Sequence, residues 1–204
     1  MLHDIWGEVW YKMFNQFSFY PVAAASFGLV HYGHSKVGRH LSLMIQYPGI
    51  RESISSDVDN VATLLRVTGL IPKGIDYKPL LEEAKRQLQH EADYQLEGHW
   101  LETYGKLLAN KPEFELPEFH ADYSTSNILA MSFVGGTPVE SMTNRQQAIS
   151  QEERDRVVSL LMELLFKEIF EFQLIQTDPN FANYQYDSDR KKLILLDFGA
   201  TRGY

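Results

Sequence analysis

Gln176-Thr177-Asp178-Pro179-Asn180-Phe181-Ala182-Asn183 is followed by Tyr184-Gln185-Tyr186, the polar turn Asp187-Ser188-Asp189-Arg190, the apolar run Leu193-Ile194-Leu195-Leu196, and then Asp197-Phe198-Gly199. Two β-prone runs flank a turn, so the segment reads as a hairpin. If Tyr184 to Tyr186 pair with Ile194 to Leu196, residues whose numbers sum to about 380 lie opposite one another. Asn183 and Asp197 then leave the open end side by side. Cross-strand neighbours sit roughly 5 Å apart at Cβ, near enough for one carboxylate and one amide oxygen to share a magnesium ion, which takes hard oxygen ligands. Asp178 stands just outside, placed to accept a proton from a hydroxyl or to position a water.

An Asp with an Asn five residues on, then an Asp-Phe-Gly, has the spacing of a kinase catalytic loop and its metal-binding motif. Each half alone also reads as ordinary local structure: Asp178-Pro179-Asn180 as a turn, and Asp197-Phe198-Gly199 as a strand end with a glycine stop. Their combination around one hairpin is what points to chemistry. Small-molecule kinases of the aminoglycoside and choline type usually carry an acidic or similar group where Gly199 stands, so Phe198-Gly199 argues against them.

Upstream, Gln151 to Ile175 is strongly helical, with Val157, Leu160, Leu161, Leu164 and Leu165 at helical spacing, and is apolar enough to be buried in a second lobe. Ile128 to Val134 reads as a strand closed by Gly135-Gly136, the expected connection between two lobes. A helix beginning at Pro79 carries Leu80, Leu81, Ala84, Leu88 and Glu91 along one face, so Glu91 points with the apolar stripe. Ser53 to Leu70 is a second amphipathic helix, with Ile54, Val58, Val61, Leu64 and Leu65 in phase and Gly69 at its end. Leu29-Val30-His31-Tyr32 and Arg39 to Tyr47 are strands separated by a Gly33 to Gly38 loop.

Among 204 residues, 44% are hydrophobic, enough for a packed core, and 27 acidic against 19 basic side chains leave a net charge of −8. Such a balance gives no electrostatic reason to expect nucleic acid as a partner. Absence of cysteine excludes disulfides, thiolate nucleophiles and cysteine-ligated metals. No apolar run reaches the roughly 18 residues of a membrane span, and the N-terminus lacks a signal-peptide layout, so a soluble or membrane-peripheral chain is expected.

Pro21-Val22-Ala23-Ala24-Ala25-Ser26-Phe27-Gly28-Leu29 resembles the alanine-rich nucleotide loop of the UbiB family of atypical kinases. The resemblance continues through Ile45-Gln46-Tyr47-Pro48-Gly49-Ile50, Ser56-Asp57, Glu91-Ala92-Asp93-Tyr94, Gln176-Thr177-Asp178-Pro179-Asn180 and Leu196-Asp197-Phe198-Gly199-Ala200-Thr201-Arg202, nearly the whole chain. The last two motifs are most similar to the coenzyme Q chaperone kinase branch. This resemblance implies an α+β, protein-kinase-like fold of two lobes. Residues 1–134 form the N-lobe part, and 135–204 the start of a truncated, mainly helical C-lobe, as of a fragment. It implies Mg-ATP as ligand, more ATPase-like than protein-kinase activity, and a role in ubiquinone biosynthesis. Ubiquinone biosynthetic proteins, and a membrane surface or lipid precursor, are the implied partners. The implied location is cytoplasmic or peripheral to a bacterial or mitochondrial inner membrane.

Carried over residue by residue, Asp178 is the catalytic aspartate, Asn183 and Asp197 are the metal ligands, and Glu91 is the helix glutamate that pairs with a strand lysine. Ala23, Ala24, Ala25, Ser26, Gly28 and Asp93 fall at nucleotide-binding positions. The strand lysine expected to hold the α- and β-phosphates falls at Met44, which cannot carry charge and fills a strand position as an apolar side chain. Leu29 replaces the usual Gln, the family's Lys-x-Gly-Gln segment is absent, and Lys36 or Arg39 are the substitutes for the lysine that the hairpin offers. An unpaired Glu91 is expected to become neutral or turn to solvent. Two functions stay open: a Mg-ATP-dependent kinase or ATPase, or a pseudokinase-like nucleotide-binding module impaired in catalysis.

Overall fold

The computed structural model describes residues 2–69, 76–143, 149–178 and 180–204; Leu70, at the end of one expected helix, and Pro179 lie outside them. Helix α1 (Leu2–Trp6) precedes the strands β1 (Phe14–Phe17), β2 (Ala23–Ala25), β3 (Gly28–Ser35) and β4 (His40–Gln46). Three helices follow, α2 (Ile50–Val67), α3 (Lys78–Glu91) and α4 (Tyr94–Leu107), and then β5 (Phe114–Glu115), β6 (Ile128–Ser132) and β7 (Thr137–Pro138). The remainder is α5 (Gln151–Lys167), β8 (Leu174–Gln176), β9 (Tyr184–Asp187), β10 (Lys192–Leu195) and β11 (Thr201–Gly203).

The first sheet runs β1-β3-β4-β6 with β2 added on β3, all antiparallel. Along β4 the side chains alternate between its two faces. Leu41, Leu43 and Ile45 are buried in a core with Phe14, Tyr123, Ile128 and Ala130, while Ser42 and Met44 face the other way, toward a recess. The expected loop from Gly33 is shorter than anticipated, because β3 continues to Ser35. Gly33 is a strand residue there, covered by the Phe14 and Leu43 side chains. Gly28 is a close-approach glycine: a Cβ on it would lie 2.2 Å from the Ile45 carbonyl oxygen.

A second sheet has the order β5-β10-β9-β7. Its parallel β5–β10 pair draws Phe114 and Glu115 across the expected boundary at residue 134. Helix α4 bridges the two sheets. Its buried residues Tyr94, Glu97, Gly98, Leu101 and Tyr104 recur at helical spacing, and Tyr94, Leu101 and Tyr104 join Leu129, Leu160, Leu164, Leu193 and Phe198 in the main core. Helix α5 starts at a capping box, in which Ser150 Oγ accepts from the Glu153 N–H at 3.2 Å and the Glu153 carboxylate accepts in return. It stops well short of Ile175: a π-turn, Glu168–Phe172, and Gln173 at φ 55° re-aim the chain into β8.

Candidate nucleotide and metal site

Strand β8 delivers Asp178 to the site, and the Gln176 side chain holds it there. Gln176 Oε1 accepts from the Asp178 N–H at 3.2 Å, and its Nε2 donates to the Asp197 carbonyl at 3.0 Å. Thr177 donates to the Ala200 carbonyl through both its backbone N–H and its hydroxyl. The Gln176–Asp178 segment is thereby stitched to the Asp197–Ala200 segment. Phe181–Asn183 is a 3-10 turn capped by Asn180, whose side chain accepts from the Ala182 N–H at 3.0 Å.

The hairpin forms one residue out of the anticipated register. Tyr184 lies opposite Leu195, and the Leu196 N–H donates to the Asn183 carbonyl at 3.0 Å, so Asn183 faces Leu196 and Asp197 lies one residue beyond. Asn183 and Asp197 nevertheless line one cavity of about 320 Å³ together with Asp178. Asn183 Nδ2 donates to Asp178 Oδ2 at 3.2 Å, which leaves Asn183 Oδ1 for a cation. Asp197 Oδ1 accepts from the Gly199 N–H at 2.9 Å. Burial, with Asp178 adding to it, pushes the Asp197 carboxyl above the usual range, and this bond opposes the rise.

Across the cavity the Ala23-Ala24-Ala25-Ser26 segment forms the roof and Met44 a wall. Gly28 and Asp93 do not line it. Gly28 ends the β3–β4 ladder opposite Gln46, close to the Ile45 carbonyl, and Asp93 is the N-cap of α4, its Oδ1 accepting from Gln95 N–H at 3.1 Å and Leu96 N–H at 3.2 Å. Arg51 holds the other Asp93 oxygen at 3.3 Å. Gln46, 1% exposed, donates to the Ala92 carbonyl at 2.5 Å. The motif around Gln46 thus fixes the start of α4 relative to β4.

Glu91 lines the cavity at the end of α3, its Oε1 accepting from Gln87 Nε2 at 3.2 Å. Burial raises its pKa, the Gln87 hydrogen bond opposes the rise, and Asp197 and Asp178 add to it. Sequence reasoning passed over Glu97. It lies on the buried stripe of α4, is 3% exposed, and lines the same cavity. Its carboxyl accepts from the Phe198 N–H, and burial with Asp197 nearby holds its pKa well above the ordinary value. The signal was present in the spacing Tyr94-x-x-Glu97-Gly98-x-x-Leu101-x-x-Tyr104. Four carboxyl groups, Glu91, Glu97, Asp178 and Asp197, face the cavity, and no Lys, Arg or His lines it among the described residues. Lys36 and Arg39 sit at the far end of the β3–β4 hairpin, where Arg39 pairs with Asp122 at 2.9 Å.

The cavity adjoins an apolar recess of about 340 Å³, and both share Ala23, Val30, Met44, Gln185 and Leu196. Phe133 to Gly136, between β6 and β7, form the recess rim.

The ABC1 atypical kinase-like domain matches residues 1–204. The chain is 38% identical over its full length to the mitochondrial atypical kinase COQ8B of Rattus norvegicus, and 37% identical over 198 residues to the mitochondrial atypical kinase COQ8 of Saccharomyces cerevisiae. It spans 38% and 39% of those two relatives. Among solved structures, Rv3197 from Mycobacterium tuberculosis in complex with erythromycin superposes on 99% of the chain with a TM-score of 0.82 at 27% identity, the match spanning 50% of that protein. The Rio2 kinase of Chaetomium thermophilum, at 15% identity and a TM-score of 0.54, covers 98% of this chain and 51% of its own, and shares the fold. The architecture is protein-kinase-like, and the chain belongs to the ABC1 atypical kinase-like family, the UbiB group its motifs resemble.

Proposed function

We propose that this chain is the Mg-ATP-binding core of an atypical kinase or ATPase serving ubiquinone biosynthesis at a mitochondrial membrane surface. One observation carries the reading: Asp178, Asn183 and Asp197 meet in one cavity beneath the alanine-rich segment, with an apolar recess alongside. The recess has the size and lining for a flat base, and the carboxylate end for a metal-bound phosphate chain. The mitochondrial atypical kinases among the relatives support the cellular setting. No described helix is long and apolar enough to cross a membrane.

The donor set fits magnesium. Asp197 supplies a carboxylate, and Asn183, with its N–H committed to Asp178, supplies an amide oxygen. Both are hard ligands. Among the described residues no three His, Cys, Asp or Glu side chains form a metal cage, and magnesium in phosphoryl-transfer sites takes one or two protein groups and completes its shell with phosphate and water. A magnesium ion held there would neutralise phosphate charge. The chain's own part is positional: Asp178, fixed through its backbone by Gln176 and through its carboxylate by Asn183, is set to orient a water or accept a hydroxyl proton.

Met44 favours a second reading, a nucleotide-binding module impaired in catalysis, because among the described residues the cavity has no side-chain cation for the α- and β-phosphates. Steady-state phosphate release separates the two. Turnover by the wild type that Asp178→Asn abolishes while Mg-ATP binding persists supports the enzyme. Binding with no turnover above the Asp178→Asn background supports the module, and no binding of Mg-ATP overturns both.

A further inference from the structure

We propose that Glu168 is a positioning residue for the candidate catalytic loop: its carboxyl holds the Gln176 backbone N–H and, through the Gln176 side chain, fixes Asp178 and the Asp197 segment relative to one another. The inference rests on the enzyme reading above and adds to it a residue outside the cavity.

Glu168 stands where the pattern calls for an apolar side chain. The buried positions of α5, Val157, Leu160 and Leu164, continue at helical spacing to Glu168, which is 4% exposed. Burial pushes its pKa up to about 7, and the hydrogen bonds from Tyr104 and Gln176 oppose the rise. Burying an acid costs free energy that a leucine at the same place would not, and such conflicts between local pattern and residue type concentrate at functional sites.

Glu168 lines neither the cavity nor the recess, so it acts through what it holds. Tyr104, fully buried on α4, donates its hydroxyl to Glu168 Oε1 at 2.8 Å and anchors the carboxyl to the core. The π-turn and Gln173 fold the chain back so that β8 starts beside Glu168, whose carboxyl accepts the Gln176 N–H. One residue then separates Glu168 from the site. Gln176 joins both halves of it, Oε1 accepting from the Asp178 N–H and Nε2 donating to the Asp197 carbonyl. A shift of β8 is thereby passed to Asp178, and a misplacement of about 1 Å costs about a hundredfold in rate.

The test compares Glu168→Gln, which keeps an acceptor for the Gln176 N–H, with Glu168→Met, which keeps the volume and loses the acceptor. Steady-state phosphate release gives kcat and KM for Mg-ATP, and calorimetry gives the affinity for Mg-AMP-PNP. We expect Glu168→Met to lose about tenfold to a hundredfold in kcat, with KM and Mg-AMP-PNP affinity within about threefold of the wild type. Glu168→Gln should stay within about threefold in all three. In a Gln176→Met background, Glu168→Met should add no further loss, because both changes break one path. Should Glu168→Met not fold, Glu168→Asp takes its place, since a side chain one methylene shorter cannot reach Tyr104 and Gln176 together, and the same loss of kcat is expected. Wild-type kcat in the variant lacking the acceptor, or an equal loss in Glu168→Gln, overturns the assignment. Mg-AMP-PNP affinity falling in step with the folded fraction makes Glu168 merely structural and overturns it too. A wild type with no turnover above the Asp178→Asn background fails the enzyme reading itself, and the positioning role falls with it.

Discussion

Asn183 donates its side-chain N–H to Asp178 Oδ2 at 3.2 Å, across one turn of chain. The bond commits opposite ends of one amide to two tasks: its nitrogen orients the candidate catalytic carboxylate, and its oxygen is left for a metal. Removing Asn183 therefore disturbs both at once, and removing Asp197 leaves the bond to Asp178 in place.

Magnesium dependence follows from that division. Asp197→Asn and Asn183→Ala should each weaken Mg-nucleotide binding by a factor of about ten or more, as expected for a lost charged or polar ligand. Neither should alter the weak binding left when EDTA removes the metal. Calorimetry with and without magnesium checks this, and equal wild-type affinity in the two conditions would sink the shared-metal proposal.

Met44→Lys should return a cation to the α- and β-phosphates and raise nucleotide affinity roughly tenfold to a hundredfold. Sequence reading made Glu91 its partner. Glu97, buried in the wall that Met44 also lines, is the better candidate. In the Met44→Lys background, Glu97→Gln should erase more of the gain than Glu91→Gln, which a double-mutant cycle resolves. Unchanged affinity in a folded Met44→Lys protein would end the case for a lysine-type role at this position.

Glu168 should make stability fall with rising pH. It accepts from the Tyr104 hydroxyl at 2.8 Å and from the Gln176 backbone N–H, yet burial, the larger effect, pushes its pKa from 4.5 up to about 7. Below pH 4.5 the carboxyl is protonated in both folded and unfolded chains. Between 4.5 and 7 the unfolded chain ionises first and binds fewer protons, so the folded state loses on the order of 3 kcal/mol as pH rises. Above about 7 the contribution is flat. Glu168→Gln should remove this slope and be the more stable protein at pH 8 in urea melts; an identical slope would show that Glu168 does not cause it.

Gly28→Ala should destabilise the first sheet by about 1–3 kcal/mol or more, because the added Cβ would press on the Ile45 carbonyl and strands cannot yield without losing their ladder. A lowered melting temperature, with nucleotide affinity falling in step with the folded fraction, is the expected outcome. Lost affinity at an unchanged melting temperature would instead assign Gly28 a direct role in the site.

Local signals carried much of the architecture. The Asp178, Asn183 and Asp197 grouping was legible because a hairpin of short loop length joins its parts, and only the register slipped by one residue. Helix α2 was legible from apolar spacing, yet Val61 and Leu64 on that stripe are 56% and 62% exposed. Periodicity reports that a face is apolar, and burial depends on what packs against it. Helix α5 ended early because the π-turn at Glu168–Phe172 has no signature in hydrophobic spacing.

The sequence by itself determined which acids and amide stand near the C-terminal hairpin and that an uncharged Met44 occupies β4, since both are matters of residue identity at short separation. The tertiary structure alone decided that a second acid of the helical region, Glu97, joins Glu91 on the cavity wall. Glu91 and Glu97 are six residues apart and similar as letters. Gln46 and Arg51 fix the start of α4, turning Glu97 and Tyr94 onto its buried face and leaving Asp93 as a cap. Burial and the sum of nearby charge are set by chain segments up to a hundred residues away, which no local pattern encodes.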